Sequence, residues 1–427
     1  MDTIYALATA QGRAGVAVIR ISGPAAFDCA RQLVGDVPQP RQAALRTIHD
    51  TNGEVLDRAL VLLFEGPASF TGEDVVELHL HGSIAVVHAV LKTLSNLSCR
   101  LAQEGEFTRR ALENNKMDLA QVEGLGDLID AETEGQRRQA QRISSGELGR
   151  RIEDWRRNLI RAASLIEVTI DFADEDVPID VTPEVQELLE MVRFGILKEL
   201  DGYQAAERIR TGFDVAIVGP PNAGKSTLLN ALAKRDAAIT SHRAGTTRDV
   251  IEVRMDLGGL PVTLLDTAGL RDGEDEIEQE GIDRAIARAS SADLRIFVAE
   301  DADLLPVAPA DQDIILAPKA DIRTDGKPAI SGKTGQGVPE LIAEITSRLQ
   351  HKSQGAGLVA HERHRVAMQA ATTALAQAHH YVGSGSEHYD ISAEEIRTAI
   401  RSLEAVVGRI DVENLLDEIF SSFCLGK

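Results

Sequence analysis

Two hydrophobic textures alternate along this 427-residue chain. Over residues 1–116 apolar positions come in short runs. Val16-Ala17-Val18-Ile19-Arg20-Ile21 reads as a strand, and Ser22-Gly23-Pro24 after it predicts a helix with proline in its first turn. Asp74-Val75-Val76-Glu77-Leu78-His79-Leu80 alternates like a half-buried strand. From about Leu119 apolar residues recur three and four apart with few prolines, which predicts long helices as far as Arg210. That texture returns from His361 to Phe420, and between the two stretches strands and helices alternate. The economical arrangement is a multidomain α/β plus α protein. It has an N-terminal α+β domain at 1–117, a helical domain split into 118–210 and 354–427, and an α/β domain at 211–350 inserted in the helical one. Gln354-Gly355-Ala356-Gly357 reads as the return linker.

Composition narrows the class. At 43% hydrophobic and 26% charged the chain reads as a soluble globular protein, and no run of 18 apolar residues predicts a membrane span. The N-terminus lacks a basic stretch followed by an apolar one, and Cys29, Cys99 and Cys424 form no C-x-x-C pair. Both point to the cytoplasm. A net charge of −22 opposes long-range attraction of nucleic acid to the whole molecule. One stretch runs against it: eight arginines lie between Arg137 and Arg161, either a solvated helix face or a patch for an anionic partner.

The chemistry is concentrated in the inserted domain. Phe213 to Val218 is a buried-strand pattern, and Gly219-Pro220-Pro221-Asn222-Ala223-Gly224-Lys225-Ser226 follows at once, matching G-x-x-x-x-G-K-[ST] between strand and helix. Glycines there let backbone N–H groups close on phosphate oxygens, and the helix that starts near Lys225 points its positive end at them. Lys225 is placed to reach the β- and γ-phosphates, and the Ser226 hydroxyl to ligate Mg²⁺. Gly245-Thr246-Thr247-Arg248-Asp249 puts Thr247 21 residues after Ser226, where a switch loop offers a second Mg²⁺ ligand. The strand Val262 to Leu265 ends in Asp266-Thr267-Ala268-Gly269, an aspartate for the metal shell and a glycine N–H for the γ-phosphate. Pro318-Lys319-Ala320-Asp321 and Ser331-Gly332-Lys333 complete the order. The Asp321 carboxylate can accept two hydrogen bonds from the N1 and N2 edge of guanine, which adenine does not offer. A Ras-like P-loop G domain that hydrolyses GTP is the expectation. Two features depart from the usual pattern. Pro318 stands where N-K-x-D has asparagine, and Leu270 stands where many small GTPases carry a water-orienting glutamine. The acidic loop from Arg271 to Glu280 offers carboxylates for that water.

The combination of these motifs is similar to the bacterial group of Era and Der. Gly105-Glu106-Phe107-Thr108-Arg109-Arg110-Ala111, Asn115-Lys116-Met117-Asp118-Leu119-Ala120-Gln121 and the terminal Phe423-Cys424-Leu425-Gly426-Lys427 narrow it. Across essentially the full chain the sequence resembles the tRNA modification GTPase MnmE (TrmE) family. The resemblance implies a homodimer that joins the flavoprotein MnmG (GidA) in a heterotetramer. Together they modify the wobble uridine of certain tRNAs with a carbon from a tetrahydrofolate derivative. It implies GTP hydrolysis that requires K⁺ and is stimulated when G domains meet. It puts K⁺ at Asn222, Ser241, Arg243 and Thr246, and the water-orienting carboxylate at Glu278. The nucleotide contacts it implies are Asn222 to Thr227, Ser241, His242, Arg243, Ala244, Gly245, Thr246, Thr247, Asp266 to Gly269, Lys319, Asp321, Ser331, Gly332 and Lys333. Folate contacts fall on Arg20, Glu77, Lys116 and Lys427, with Cys424 a further candidate for chemistry. From residues alone, Asn222 could serve only to shape its loop, and Arg20 with Glu77 could be a plain cross-strand pair. The alternative function is a ribosome-assembly GTPase of the Era or Der kind.

Overall fold

The computed structural model describes residues 2–171, 180–234, 252–266, 286–301 and 307–410, together with 416, 419, 420, 423 and 426. The chain packs as two compact units. The first takes in Met1–Gly126, Gly149–Glu153 and Leu403–Lys427, and the second Asp127–Leu148 and Asp154–Ser402.

The first unit is built on a six-stranded sheet in the order β3-β4-β5-β2-β1-β6. Its strands are β1 (Ile4–Leu7), β2 (Val16–Ser22), β3 (Ala44–His49), β4 (Val55–Phe64), β5 (Val75–His81) and β6 (Arg100–Leu101). β2 and β5 pair antiparallel with Arg20 opposite Glu77. Alternation sends Ile19, Ile21, Val76 and Leu78 into the core beneath α1 (Ala26–Val34) and α2 (Ile84–Leu94). Arg20 and Glu77 are left on a half-buried flank. The helix after β2 starts later than its proline suggested. Gly23 adopts φ +130°, and a Cβ there would sit 2.7 Å from the Thr3 Cα. The chain therefore leaves β2 in a tight turn, closed by the Ala26 N–H on the Gly23 carbonyl, with Pro24 inside the turn and ahead of the helix. Two further helices follow β6, α3 (Glu106–Glu113) and α4 (Leu119–Asp130).

In the second unit a sheet in the order β12-β11-β10-β7-β9-β8 runs parallel except for β8. Its strands are β7 (Phe213–Val218), β8 (Glu252–Leu257), β9 (Leu260–Asp266), β10 (Leu294–Val298), β11 (Ile314–Pro318) and β12 (Ala329–Ile330). Phe213, Val215, Ile217 and Leu264 are essentially fully buried, as expected of central parallel strands covered on both faces. Truncating Leu264 to alanine would cost about 2–5 kcal/mol. The β8–β9 connection is a two-residue turn at Gly258 and Gly259, with φ +63° and +87°. Only glycine adopts such angles freely at both positions of this turn.

Helices α5 (Glu134–Ser144), α6 (Glu147–Asp171), α7 (Thr182–Asp201) and α8 (Tyr203–Thr211) precede β7. After β7 come α9 (Lys225–Ala233), α10 (Val338–Lys352), α11 (Glu362–Ser384) and α12 (Tyr389–Val406). The G domain is thus inserted between helical segments, as the sequence texture predicts. The arginine-rich stretch is broken at Ser145-Gly146 and carries its own carboxylates. Arg137 and Arg138 pair with Glu134, Arg142 with Glu147, and Arg157 with Asp154. No helix among the described residues is long and apolar enough to cross a membrane.

Candidate nucleotide site and a second cluster

β7 delivers the chain at Val218 into the loop 219–224, and α9 begins at Lys225. Two left-handed residues bend the loop, Asn222 at φ +63° and Gly224 at φ +93°. A Cβ on Gly224 would touch nothing, so glycine there serves conformation. Gly219 is glycine for space, since a Cβ would lie 2.4 Å from the Val298 carbonyl oxygen. The buried Lys225 ammonium donates to the carbonyls of Gly219 and Pro220 at 2.8 and 3.0 Å, so the loop is wrapped around its charge.

Ser226, in the first turn of α9, donates from Oγ to Asp266 Oδ2 at 2.7 Å. Asp266 is the last residue of β9 and lies opposite Ile217 of β7 in parallel register. It is buried, and its second oxygen, Oδ1, has no hydrogen-bond partner among the described residues. A buried carboxylate oxygen without a partner is costly. A hydroxyl and a half-satisfied carboxylate at the positive end of a helix form an oxygen donor set of the kind Mg²⁺ takes.

The base-reading side comes from the next strands. Pro318 closes β11 opposite Ile330 of β12. Lys319 turns the chain at φ +59° into a short 3₁₀ turn, Ala320–Ile322. The Ser331 hydrogen bond, then that of its own backbone N–H, and more weakly the charges of Lys333 and Lys319, hold the Asp321 carboxyl below the usual carboxylate range. Gly332 presses on α9: a Cβ there would lie 2.6 Å from the Leu228 nitrogen. The result is a cavity of about 250 Å³ whose walls include Ala223, Gly224 and Thr227 on one side and Lys319, Asp321, Ser331, Gly332 and Lys333 on the other. Segments more than 90 positions apart in the chain thus share one cleft. Ile322, exposed beside Asp321, lines it as well and carries no polar signal by which sequence could have singled it out. Ser241 to Thr247, Thr267 to Gly269, Glu278, Cys424 and Lys427 lie outside the described residues.

In the first unit Arg20 pairs with Glu77 through both Nε and Nη2, at 3.1 and 2.9 Å. The guanidinium lies 5.3 Å from the Phe70 ring and 5.7 Å from that of Phe107. Its Nη1 donates to the Gly426 carbonyl at 3.5 Å. The Lys116 ammonium donates to the Pro67 carbonyl at 2.8 Å, in the loop that carries Phe70. Sequence reasoning did not single out Phe70. Its one available signal was rarity, an aromatic between two strands in a chain only 4% aromatic.

A phosphate loop closing on its lysine, a Ser226–Asp266 hydroxyl–carboxylate pair and an acidic turn after a parallel strand have the arrangement of a P-loop GTPase with a Ras-like domain. The family model "MnmE helical domain" matches residues 119–424, and "GTP-binding protein TrmE N-terminus" matches residues 3–116. The tRNA modification GTPase MnmE of Roseobacter denitrificans is 62% identical over 428 residues, and that of Ruegeria pomeroyi 60%, each covering 100% of both chains. The chain belongs to the MnmE family of tRNA modification GTPases, which sets aside the Era or Der alternative. An Era structure from Aquifex aeolicus, 26% identical, covers 32% of this chain and 56% of its own at a TM-score of 0.25. At that score it adds nothing to the assignment.

Proposed function

We propose that this GTPase acts with a flavoprotein of the MnmG kind to modify the wobble uridine of certain tRNAs. In this reading it works as a cytoplasmic homodimer, takes its carbon from a folate, and needs K⁺ for GTP hydrolysis. Three domains divide the labour: 1–117 for folate and dimerisation, 118–210 with 354–427 as the helical support, and 211–350 for GTP.

The observation that carries the hydrolytic half is the Ser226–Asp266 pair, whose buried second carboxylate oxygen has no partner among the described residues. Ser226 and Thr247 would hold Mg²⁺, with Asp266 in its outer shell. Bound there, Mg²⁺ would offset the negative charge of the phosphates. Lys225 binds the same phosphates from the loop side, and Gly269 is the residue expected to offer a backbone N–H to the γ-phosphate. Asp321 accepts both hydrogen bonds from the guanine edge, with Lys319 and Lys333 flanking the base. Glu278 orients the attacking water, the role Leu270 cannot fill. Asn222, Ser241, Arg243 and Thr246 would hold K⁺, a cation where other GTPases insert an arginine. Asn222 has an exposed side chain in a left-handed bend, which suits a loop amide that turns toward an ion.

The modification half rests on family membership and on the Arg20 cluster. An Arg–carboxylate pair with two aromatic rings near its guanidinium, and Lys116 on the neighbouring loop, suits a flat heteroaromatic ligand bearing carboxylates. Reconstitution tests the whole. Full-length chain, flavoprotein, tRNA, GTP, K⁺ and a one-carbon folate are mixed, and each is omitted in turn. Modified wobble uridine should form only in the complete mixture. Modification without folate or without the flavoprotein would overturn the proposal.

A further inference from the structure

The first-turn N–H groups of any helix need partners from outside it. In α5, Thr133 accepts from the Gln136 N–H, and the Gln136 side chain closes the box on the Thr133 backbone. The Gly135 N–H goes elsewhere. It donates to the Gly259 carbonyl, 2.8 Å away, at the tip of the β8–β9 hairpin. The approach leaves no room for a side chain, since a Cβ on Gly135 would lie 2.5 Å from that oxygen. Beside it Arg254 of β8 and Glu132 form an ion pair at 3.7 Å.

Both ends of this contact are stiff. The Gly259 N–H donates to Asp256 Oδ1 at 2.7 Å, which locks the hairpin tip. On the other side Gln136 and Gln139 of α5 donate to the carbonyls of Arg210 and Ala206 in α8, at 2.9 and 3.2 Å. From the tip β9 runs straight to Asp266, the partner of Ser226. A strand of that length spans about 20 Å. It is paired on both flanks, by β7 and β8, so it moves as a rod.

We propose that the N-terminus of α5 sets the placement of β9, and that Gly135 and Glu132 are positioning residues for GTP hydrolysis. Acting through Asp266, the contact couples the helical segments to the nucleotide site in both directions, as any such coupling must. The proposal rests on Asp266 standing in the metal shell.

Gly135→Ala in the full chain tests it. Alanine is the better helix former, so α5 itself is not weakened. Its methyl group forces Gly259 away by several tenths of an ångström. KM for GTP should stay within about twofold while kcat falls about tenfold, the signature of a misplaced group needed in the transition state. Glu132→Arg should lower kcat about threefold, and adding Arg254→Glu should restore it. Wild-type kcat in Gly135→Ala, a change in KM alone, or a charge swap that restores nothing would overturn the proposal. Wild-type turnover in Asp266→Ala would overturn the metal-shell reading itself, and the proposal with it.

Discussion

The nucleotide cleft and the Arg20 cluster are assembled by different means. The phosphate loop, Asp266 and the segments after β11 and β12 all stand at the C-terminal ends of parallel strands, where open α/β sheets gather their ligands. Backbone path alone brings them together. Arg20 and Glu77 sit in mid-strand and meet through antiparallel register, while Phe70 comes from a loop, Phe107 from a helix and Gly426 from the far end of the chain. The first kind of site leaves a contiguous motif in sequence. The second leaves scattered side chains with nothing between them to mark a site.

The contrast can be broken experimentally, starting where the effect should be largest. Asp266→Ala and Lys225→Ala each remove one fixed charge that no neighbour replaces. GTP turnover should fall about 10³-fold or more, as for lost transition-state clamps elsewhere. Single-turnover hydrolysis measures it, and a loss under tenfold would mean the cleft tolerates side-chain removal as a scattered site does. Glu278→Ala should cost about 10²-fold in kcat with GDP affinity unchanged, because water orientation matters only when bonds break. Glu274→Ala is its control and should do much less.

Arg20→Ala should weaken binding of a folate by about ten- to a hundredfold, the range for truncating one charged partner and stranding the other. GTP turnover by the isolated full-length chain should remain within about twofold. Calorimetric titration with a tetrahydrofolate derivative, run beside the hydrolysis assay, separates the two. If folate binding survives, the Arg20–Glu77 pair is only a cross-strand brace. The smallest effect concerns Pro318. Proline supplies no side-chain hydrogen bond, so Pro318→Asn should tighten GDP and a slowly hydrolysed GTP analogue together, about threefold to tenfold. Guanine preference over adenine should not move, since Asp321 is untouched.

Legibility followed the same division. β7, the loop and the start of α9 at Lys225 were readable because phosphate binding restricts both residue type and spacing. The helical boundary at Leu119 was readable because hydrophobic period changes there. β3 and β4 gave little signal. The first half of β4, Val55-Leu56-Asp57-Arg58, is mostly exposed or half-exposed, so its apolar positions do not alternate cleanly. Pro24 misled because the same residue suits a helix start and a turn, and the choice was made by crowding against Thr3. The Gly135–Gly259 approach could not be read at all. It joins two glycines 124 positions apart through backbone atoms alone, and a glycine gives no hint of what lies against it.

GTP and ATP turnover, followed side by side in K⁺ and in Na⁺ at equal ionic strength, tests the central claim most directly. A guanine-selective site completed by potassium should hydrolyse GTP in K⁺, do so at least about tenfold more slowly in Na⁺, and leave ATP essentially untouched in both. Equal GTP turnover in the two salts, or ATP hydrolysed at a comparable rate, would contradict it.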